Sequence, residues 1–210
     1  MPAAMNALGP SKRFEDALRF AARLHATQTR KGSETPYIGH LLAVAAIAIE
    51  AGANEDEAIA ALLHDAVEDQ GGKPTLRRIR RRFGKRDARI VKGCTDADET
   101  PKPPWCERKR AFIAGLEESP SSVHLVVAAD KLHNTRAVLA DLHSRGEAVW
   151  PLFNTGRDGT LWYYRAVTDT LLRDGAPAGS RLEDLLAELD RTVSALEQES
   201  GGPAPTNFCD

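Results

Sequence analysis

The segment Ala61-Leu62-Leu63-His64-Asp65-Ala66-Val67-Glu68-Asp69 sets four ionisable side chains into a run otherwise made of Ala, Leu and Val. They come as two adjacent pairs spaced i and i+4. Read as helix at about 100° per residue, His64 and Glu68 share one stripe, with Asp65 and Asp69 on the stripe beside it. Burying carboxylates and an imidazole on one helical face is costly unless a cation or substrate compensates them. A chain with this segment must therefore build a polar site into its interior. Histidine beside aspartate is a good ligand pair for a divalent metal, and two further acids follow one turn later. That pattern points to metal-assisted hydrolysis.

Helical patterning dominates the rest of the chain and no alternating strand is visible, so the expected class is all-α. The sequence predicts a single-domain compact bundle of about eight to ten helices. A first amphipathic helix is expected over 14–27, a polar loop over 29–37, and a second helix from His40 to a glycine stop at Gly52. Asn54 suits the cap of a third helix, which would carry the opening segment unbroken to Gly71-Gly72. Further helices are expected over 75–83, 87–94, 107–117, 122–143, 160–172 and 181–198, with a long proline-rich loop over 95–104. This divides the chain into an N-terminal extension (1–11), one domain (12–198) and a disordered Gly/Pro-rich tail (199–210).

The chain has 210 residues, 42% of them hydrophobic, enough for one sizeable core. Its net charge of −2 gives no global pull toward nucleic acid or membrane, and neither is an expected partner. The longest apolar run, Leu41 to Ile49, is too short to span a bilayer, and Met1 to Lys12 has no apolar signal region. Cys94, Cys106 and Cys209 are odd in number and lack zinc-like spacing, so they read as reduced thiols in a cytoplasmic protein. The basic run Arg77 to Arg86 has a functional reading, contact with RNA or steering of an anionic nucleotide, but is read first as a solvated helix face with Leu76, Ile79 and Phe83 turned inward.

Two more residues extend the opening segment into a possible ligand set. His40 sits where a loop enters a helix, and Asp130 follows the apolar run Val123 to Ala129. Singly, each has an ordinary structural reading, a helix-terminal histidine and a buried salt-bridge partner. Together with His64 and Asp65 they form a mixed N/O set suited to Mn²⁺, Fe²⁺ or Zn²⁺ rather than an all-oxygen Mg²⁺ site. Glu68 and Asp69 stand one turn beyond His64 and Asp65 as two further acids.

His40, His64-Asp65 and Asp130, in that order, resemble the signature of the HD-domain metal-dependent phosphohydrolases. Three surrounding words narrow the resemblance to the RelA/SpoT hydrolase domain, in the form of a stand-alone small alarmone hydrolase. They are Arg30-Lys31-Gly32 with Pro36-Tyr37-Ile38-Gly39-His40, then His64 to Asp69, then Ala129-Asp130-Lys131-Leu132-His133-Asn134. The resemblance covers roughly residues 12–172. It implies one bound Mn²⁺ held by His40, His64, Asp65 and Asp130, a catalytic pair Glu68 and Asp69, and removal of the 3′-pyrophosphate from guanosine tetra- and pentaphosphate. It further implies substrate contacts from Arg30 and Lys31 along base and sugar, Lys102 toward the 5′-phosphates, Asn134 on the nucleoside and Tyr163 as an aromatic wall.

The chain departs from relatives at Gly39, where a polar residue such as asparagine is commoner, and in the acidic, proline-rich loop Asp96 to Trp105. The first alters the wall beside the metal and not the ligand set; the second bears on how the 5′ end or base is read and leaves purine specificity open. Rival readings on the same scaffold are an adenosine-alarmone hydrolase, a nucleotidase, a phosphatase acting on a dinucleotide cofactor such as NADPH, or a non-catalytic alarmone sensor. A degenerate sensor would have lost a ligand or an acid, and both sets are complete.

Overall fold

The computed structural model describes residues 11–99 and 101–209, so the expected N-terminal extension lies outside it except for Ser11. Among the described residues there are ten α-helices and one 3₁₀ helix, in agreement with the expected all-α class. Their order is α1 (Lys12–Leu24), α2 (Ile38–Glu50), α3 (Glu55–Leu63), α4 (Ala66–Asp69), α5 (Gly72–Arg82) and α6 (Lys85–Cys94). Then follow α7 (Trp105–Glu117), α8 (Ser121–Arg145), the 3₁₀ turn Gly146–Leu152, α9 (Gly156–Asp174) and α10 (Arg181–Glu199).

Local chemistry explains the starts that matter. The Ser11 hydroxyl accepts from the Phe14 amide, and Asn54 and Glu57 form a reciprocal capping box at α3. The apolar face of α2 packs on α3 and α8, and the first half of α8, Val123 to Asp130, is buried throughout. Between α1 and α2 the chain doubles back, with the Arg30 amide donating to the Thr35 carbonyl (2.8 Å) and the Tyr37 amide to the Gln28 carbonyl (2.9 Å). This turn presents Arg30 and Lys31 and delivers Tyr37 to the head of α2.

The opening segment does not form one helix. α3 ends at Leu63, His64 and Asp65 form a turn, and the short α4 begins at Ala66. The His64 ring bonds back to the Ala61 carbonyl (2.8 Å), and the Tyr37 hydroxyl donates to Asp65 (2.5 Å). These contacts hold the pair at the break, so the stripe geometry expected for a continuous helix does not apply. Gly71 and Gly72, both with positive φ, end α4 and begin α5. A Cβ on Gly72 would lie 2.6 Å from the Asp98 carbonyl oxygen, so only glycine lets the loop after α6 close onto this corner.

Two expectations are overturned at the C-terminal end. Among the described residues, 200–209 lie against the bundle, where a disordered tail was expected. Arg157 donates to the Ser200 carbonyl (2.7 Å) and to that of Gly202, and Phe208 packs edge-on against Trp105 at 6.0 Å. Cys106 and Cys209 form a disulfide across 103 residues of sequence, leaving Cys94 as the free thiol. Cysteine spacing along the chain could not show a pairing that depends on the tail returning to the start of α7. The ground for reading a reducing compartment goes with it. Among the described residues no helix is long and apolar enough to cross a membrane.

Candidate metal centre and flanking clefts

Three places in the fold bring the four expected ligands to one point: the first turn of α2 (His40), the break after α3 (His64, Asp65) and the middle of α8 (Asp130). His40 Nε2 lies 3.3 Å from His64 Nε2, 3.5 Å from Asp65 Oδ2 and 3.3 Å from Asp130 Oδ1. His64 Nε2 lies 3.0 Å from Asp65 Oδ2 and 3.5 Å from Asp130 Oδ1. Ligand atoms at about 2.1 Å from a shared ion stand roughly 3.0–3.5 Å apart. The donor set and its spacing therefore fit a divalent transition metal.

The neighbours fix which atoms face inward. A carbonyl can only accept, so His64 Nδ1 carries the proton it donates to Ala61, leaving Nε2 with its lone pair toward the cluster. His40 Nδ1 meets His133 Nδ1 at 2.9 Å. With His40 Nε2 as a ligand, its Nδ1–H donates to a neutral His133. Burial, His40 and Arg30 push His133 down to about 4, which keeps that ring neutral. Asp130 is oriented from both sides: Lys131 donates to Oδ2 (2.6 Å) and the Asn134 amide to Oδ1 (2.6 Å).

The bare cluster favours positive charge at this point, carried there by the His64 ring itself. Burial alone would lower His64, but Asp65 and Asp130 override it and hold the ring well above its ordinary value. Both aspartates stay well below the carboxylate range despite burial, Asp65 through His64 and His40, Asp130 through Lys131 and the two histidines. Two ionised carboxylates converge on two imidazole nitrogens, and a divalent cation would satisfy all four.

Two clefts flank the cluster. The larger, about 710 Å³, is lined by Arg30, Lys31, Tyr37, His40, Asn134 and Tyr164 among others. Arg30 donates to the Asn134 carbonyl oxygen (2.9 Å), and Lys31 lies over the Phe153 ring at 5.4 Å. Gly39 also lines this cleft, and a Cβ there would meet nothing, so the missing polar side chain leaves open space. Tyr163 is not part of this wall. It is buried beneath, under Lys109 at 4.3 Å and Lys131 at 5.2 Å, while Tyr164 faces the cleft. One residue along a helix turns the side chain by about 100°, which the aromatic pair Tyr163-Tyr164 hides in the sequence.

The second cleft, about 490 Å³, is lined by Glu68, Asp69, Lys73 and Lys102 among others. Lys102 donates to Glu68 (2.8 Å), and Gln28 donates to Asp69 (2.7 Å). Burial and Asp96, against the pull of Lys102, push Glu68 up to about 7. Asp96 is a residue that sequence reasoning missed. Arg108 (2.7 Å) and Lys109 (2.5 Å) hold its Oδ2, while its buried Oδ1 has no hydrogen-bond partner. Tyr37 and Lys109 were missed as supports in the same way, since each acts on a residue distant in sequence, and Lys131 was missed although it adjoins Asp130.

The comparisons with known proteins agree with this geometry. A family model described as HD domain matches residues 17–161. The guanosine-3′,5′-bis(diphosphate) 3′-pyrophosphohydrolase MESH1 of Drosophila melanogaster is 31% identical over 182 residues, 85% of this chain and 96% of the fly protein. MESH1 of Xenopus tropicalis is 42% identical over 124 residues, 58% of this chain and 66% of the frog protein. A solved structure described as a metazoan orthologue of SpoT that hydrolyses ppGpp matches with a TM-score of 0.69 at 33% identity, covering 88% of this chain and 97% of that one. The chain belongs to the HD-domain family and is a homologue of the MESH1-type 3′-pyrophosphohydrolases.

Proposed function

We propose that this protein is a Mn²⁺-dependent pyrophosphohydrolase that removes the 3′-pyrophosphate from guanosine 3′,5′-bis(diphosphate) and the corresponding pentaphosphate, giving GDP or GTP and pyrophosphate. The observation that carries the reading is the convergence of His40, His64, Asp65 and Asp130 beside a cleft with a basic rim. The names of the relatives supply the substrate class.

His40, His64, Asp65 and Asp130 would hold the cation, which supplies Lewis acidity at the scissile phosphate and a water of lowered pKa. Glu68 and Asp69 would orient the attacking water and take its proton. Lys102, already paired with Glu68, offers its ammonium to phosphate oxygens at the same mouth. On the other side Arg30 and Lys31 flank the nucleoside, Asn134 ties Arg30 to the ligand carboxylate of Asp130, and Tyr164 takes the aromatic role expected of Tyr163.

A panel of purified nucleotides tests the assignment, run with Mn²⁺ and with chelator. It should contain guanosine and adenosine nucleotides with and without a 3′-pyrophosphate, together with NADPH. Pyrophosphate release confined to the 3′-pyrophosphorylated guanosine nucleotides is the expected result. Release from the adenosine forms alone would overturn the guanine assignment, and release from none would overturn the reaction.

A further inference from the structure

Between residues 77 and 89 the chain carries eight Arg or Lys and a single acid, Asp87. That acid is buried and turned to Arg13 (3.2 Å), so it does not offset the cations. Ile79 and Phe83 face the core, and all eight cations are exposed on α5 and α6. Arg82 pairs with Asp16 and Arg86 with Asp56, each at 3.4 Å, while Arg78 and Arg82 lie over the Phe20 ring. Among the described residues, Arg77, Arg80, Arg81, Lys85 and Arg89 have no ion pair or hydrogen bond, in a chain of 30 acids and net charge −2.

This arrangement works against the helices that carry it. Arg77 with Arg81, and Lys85 with Arg89, are like charges at i and i+4. Lys85 and Arg86 occupy the first turn of α6, the end at which the helix dipole disfavours cations. Reading the run as a solvated face explains the inward residues and leaves the unpaired cations without a counterpart.

We propose that the exposed face of α5 and α6 binds the phosphate backbone of duplex RNA. Seven of the eight cations are arginine, whose planar fork matches phosphate oxygens. The face offers no ring for base stacking: Phe83 is buried, and Phe20 is roofed by Arg78 and Arg82. That disfavours a single strand. It offers no apolar anchor either, since the exposed large hydrophobics, Leu42 and Leu172, lie on α2 and α9. That disfavours a membrane. What remains is recognition of phosphates alone, and the narrow major groove of an A-form duplex brings both backbones within reach of one short helical face. The inference goes beyond the hydrolase reading and does not depend on it.

Fluorescence anisotropy of the full chain tests it at low salt, with a labelled RNA duplex, a DNA duplex of the same sequence, single-stranded RNA and vesicles of phosphatidylserine and phosphatidylcholine. The RNA duplex should bind most tightly, with log K falling against log [salt] at a slope of about −4 to −5 for the five unpaired cations. A triple variant, Arg77→Gln, Arg81→Gln and Lys85→Gln, should bind at least about tenfold more weakly and lower that slope by about three. Its melting temperature should be unchanged or slightly higher, because like charges are relieved, and nucleotide hydrolysis should be unchanged, because these side chains touch neither core nor clefts. Absence of RNA binding, or an unaffected triple variant, would overturn the proposal. Equal or tighter binding to vesicles, single strands or DNA would overturn the choice of duplex RNA.

Discussion

Asp65 meets the cluster through one oxygen, Oδ2, which faces both histidine Nε2 atoms and also receives the Tyr37 hydroxyl. Glu68, three residues on, pairs with Lys102 instead and feels the charge of Asp96. The two acids should therefore fail differently. Asp65→Ala is expected to lose Mn²⁺ binding and activity together. Glu68→Ala should keep the metal and lose about 10²–10⁴-fold in turnover. Calorimetric metal titration beside steady-state kinetics separates these outcomes, and equal metal loss in both variants would show that Glu68 is misassigned. Tyr37 acts through Asp65, so Tyr37→Phe should weaken Mn²⁺ by about 10–100-fold, as outer-shell changes do. Unchanged affinity would mean that the hydrogen bond does no orienting. The clustering of His40, His64, Asp65 and Asp130 was legible in the sequence because ionisable residues in apolar surroundings stand out. Asp96 was not, because its partners lie in another helix, and the orienting roles of Tyr37 and Lys131 were not, because those roles depend on side-chain contacts that the motif words do not show.

The helices were legible by periodicity, caps and glycine stops, and most boundaries fall within a few residues of expectation. The break between α3 and α4 was not legible. His64 and Asp65 have helical neighbours on both sides, and it is side-chain bonds to Ala61 and Tyr37 that hold the turn. A second such feature is Arg13 on α1, which reaches Glu55 and Asp56 of α3 and Asp87 of α6. Burial, followed by Asp56 and Glu55, outweighs Arg13 and pushes Asp87 up to about 6. A carboxyl whose folded pKa exceeds its unfolded value of about 3.9 binds more protons when folded, so its contribution to stability falls as pH rises from about 4 to about 6. Asp87→Asn removes that dependence. Denaturant unfolding across this window should show the variant gaining stability relative to wild type as pH rises, by up to about 2–3 kcal/mol. A difference that stays flat or reverses would contradict the burial argument.

At the scale of the whole molecule, the chain end is fastened where the second cleft is built. Cys209 joins Cys106 in the first turn of α7, and α7 also supplies Arg108 and Lys109 to Asp96. Closing a loop of this length restricts the unfolded chain by about 3–5 kcal/mol in the chain-entropy view. Reduction, or Cys209→Ser, should therefore lower the melting temperature by several degrees, and thiol counting should find one free thiol before reduction and three after. Identical melts would show that the bond adds nothing to the fold. Tail, helices and loops together hold one cluster of two histidines and two aspartates between a basic cleft and an acidic pair. The most direct test of that account is product analysis with guanosine 3′,5′-bis(diphosphate) and Mn²⁺. The expected result is GDP and pyrophosphate in equal amounts, abolished by chelator and restored by added Mn²⁺. Orthophosphate as the product, or turnover that survives full chelation, would contradict it.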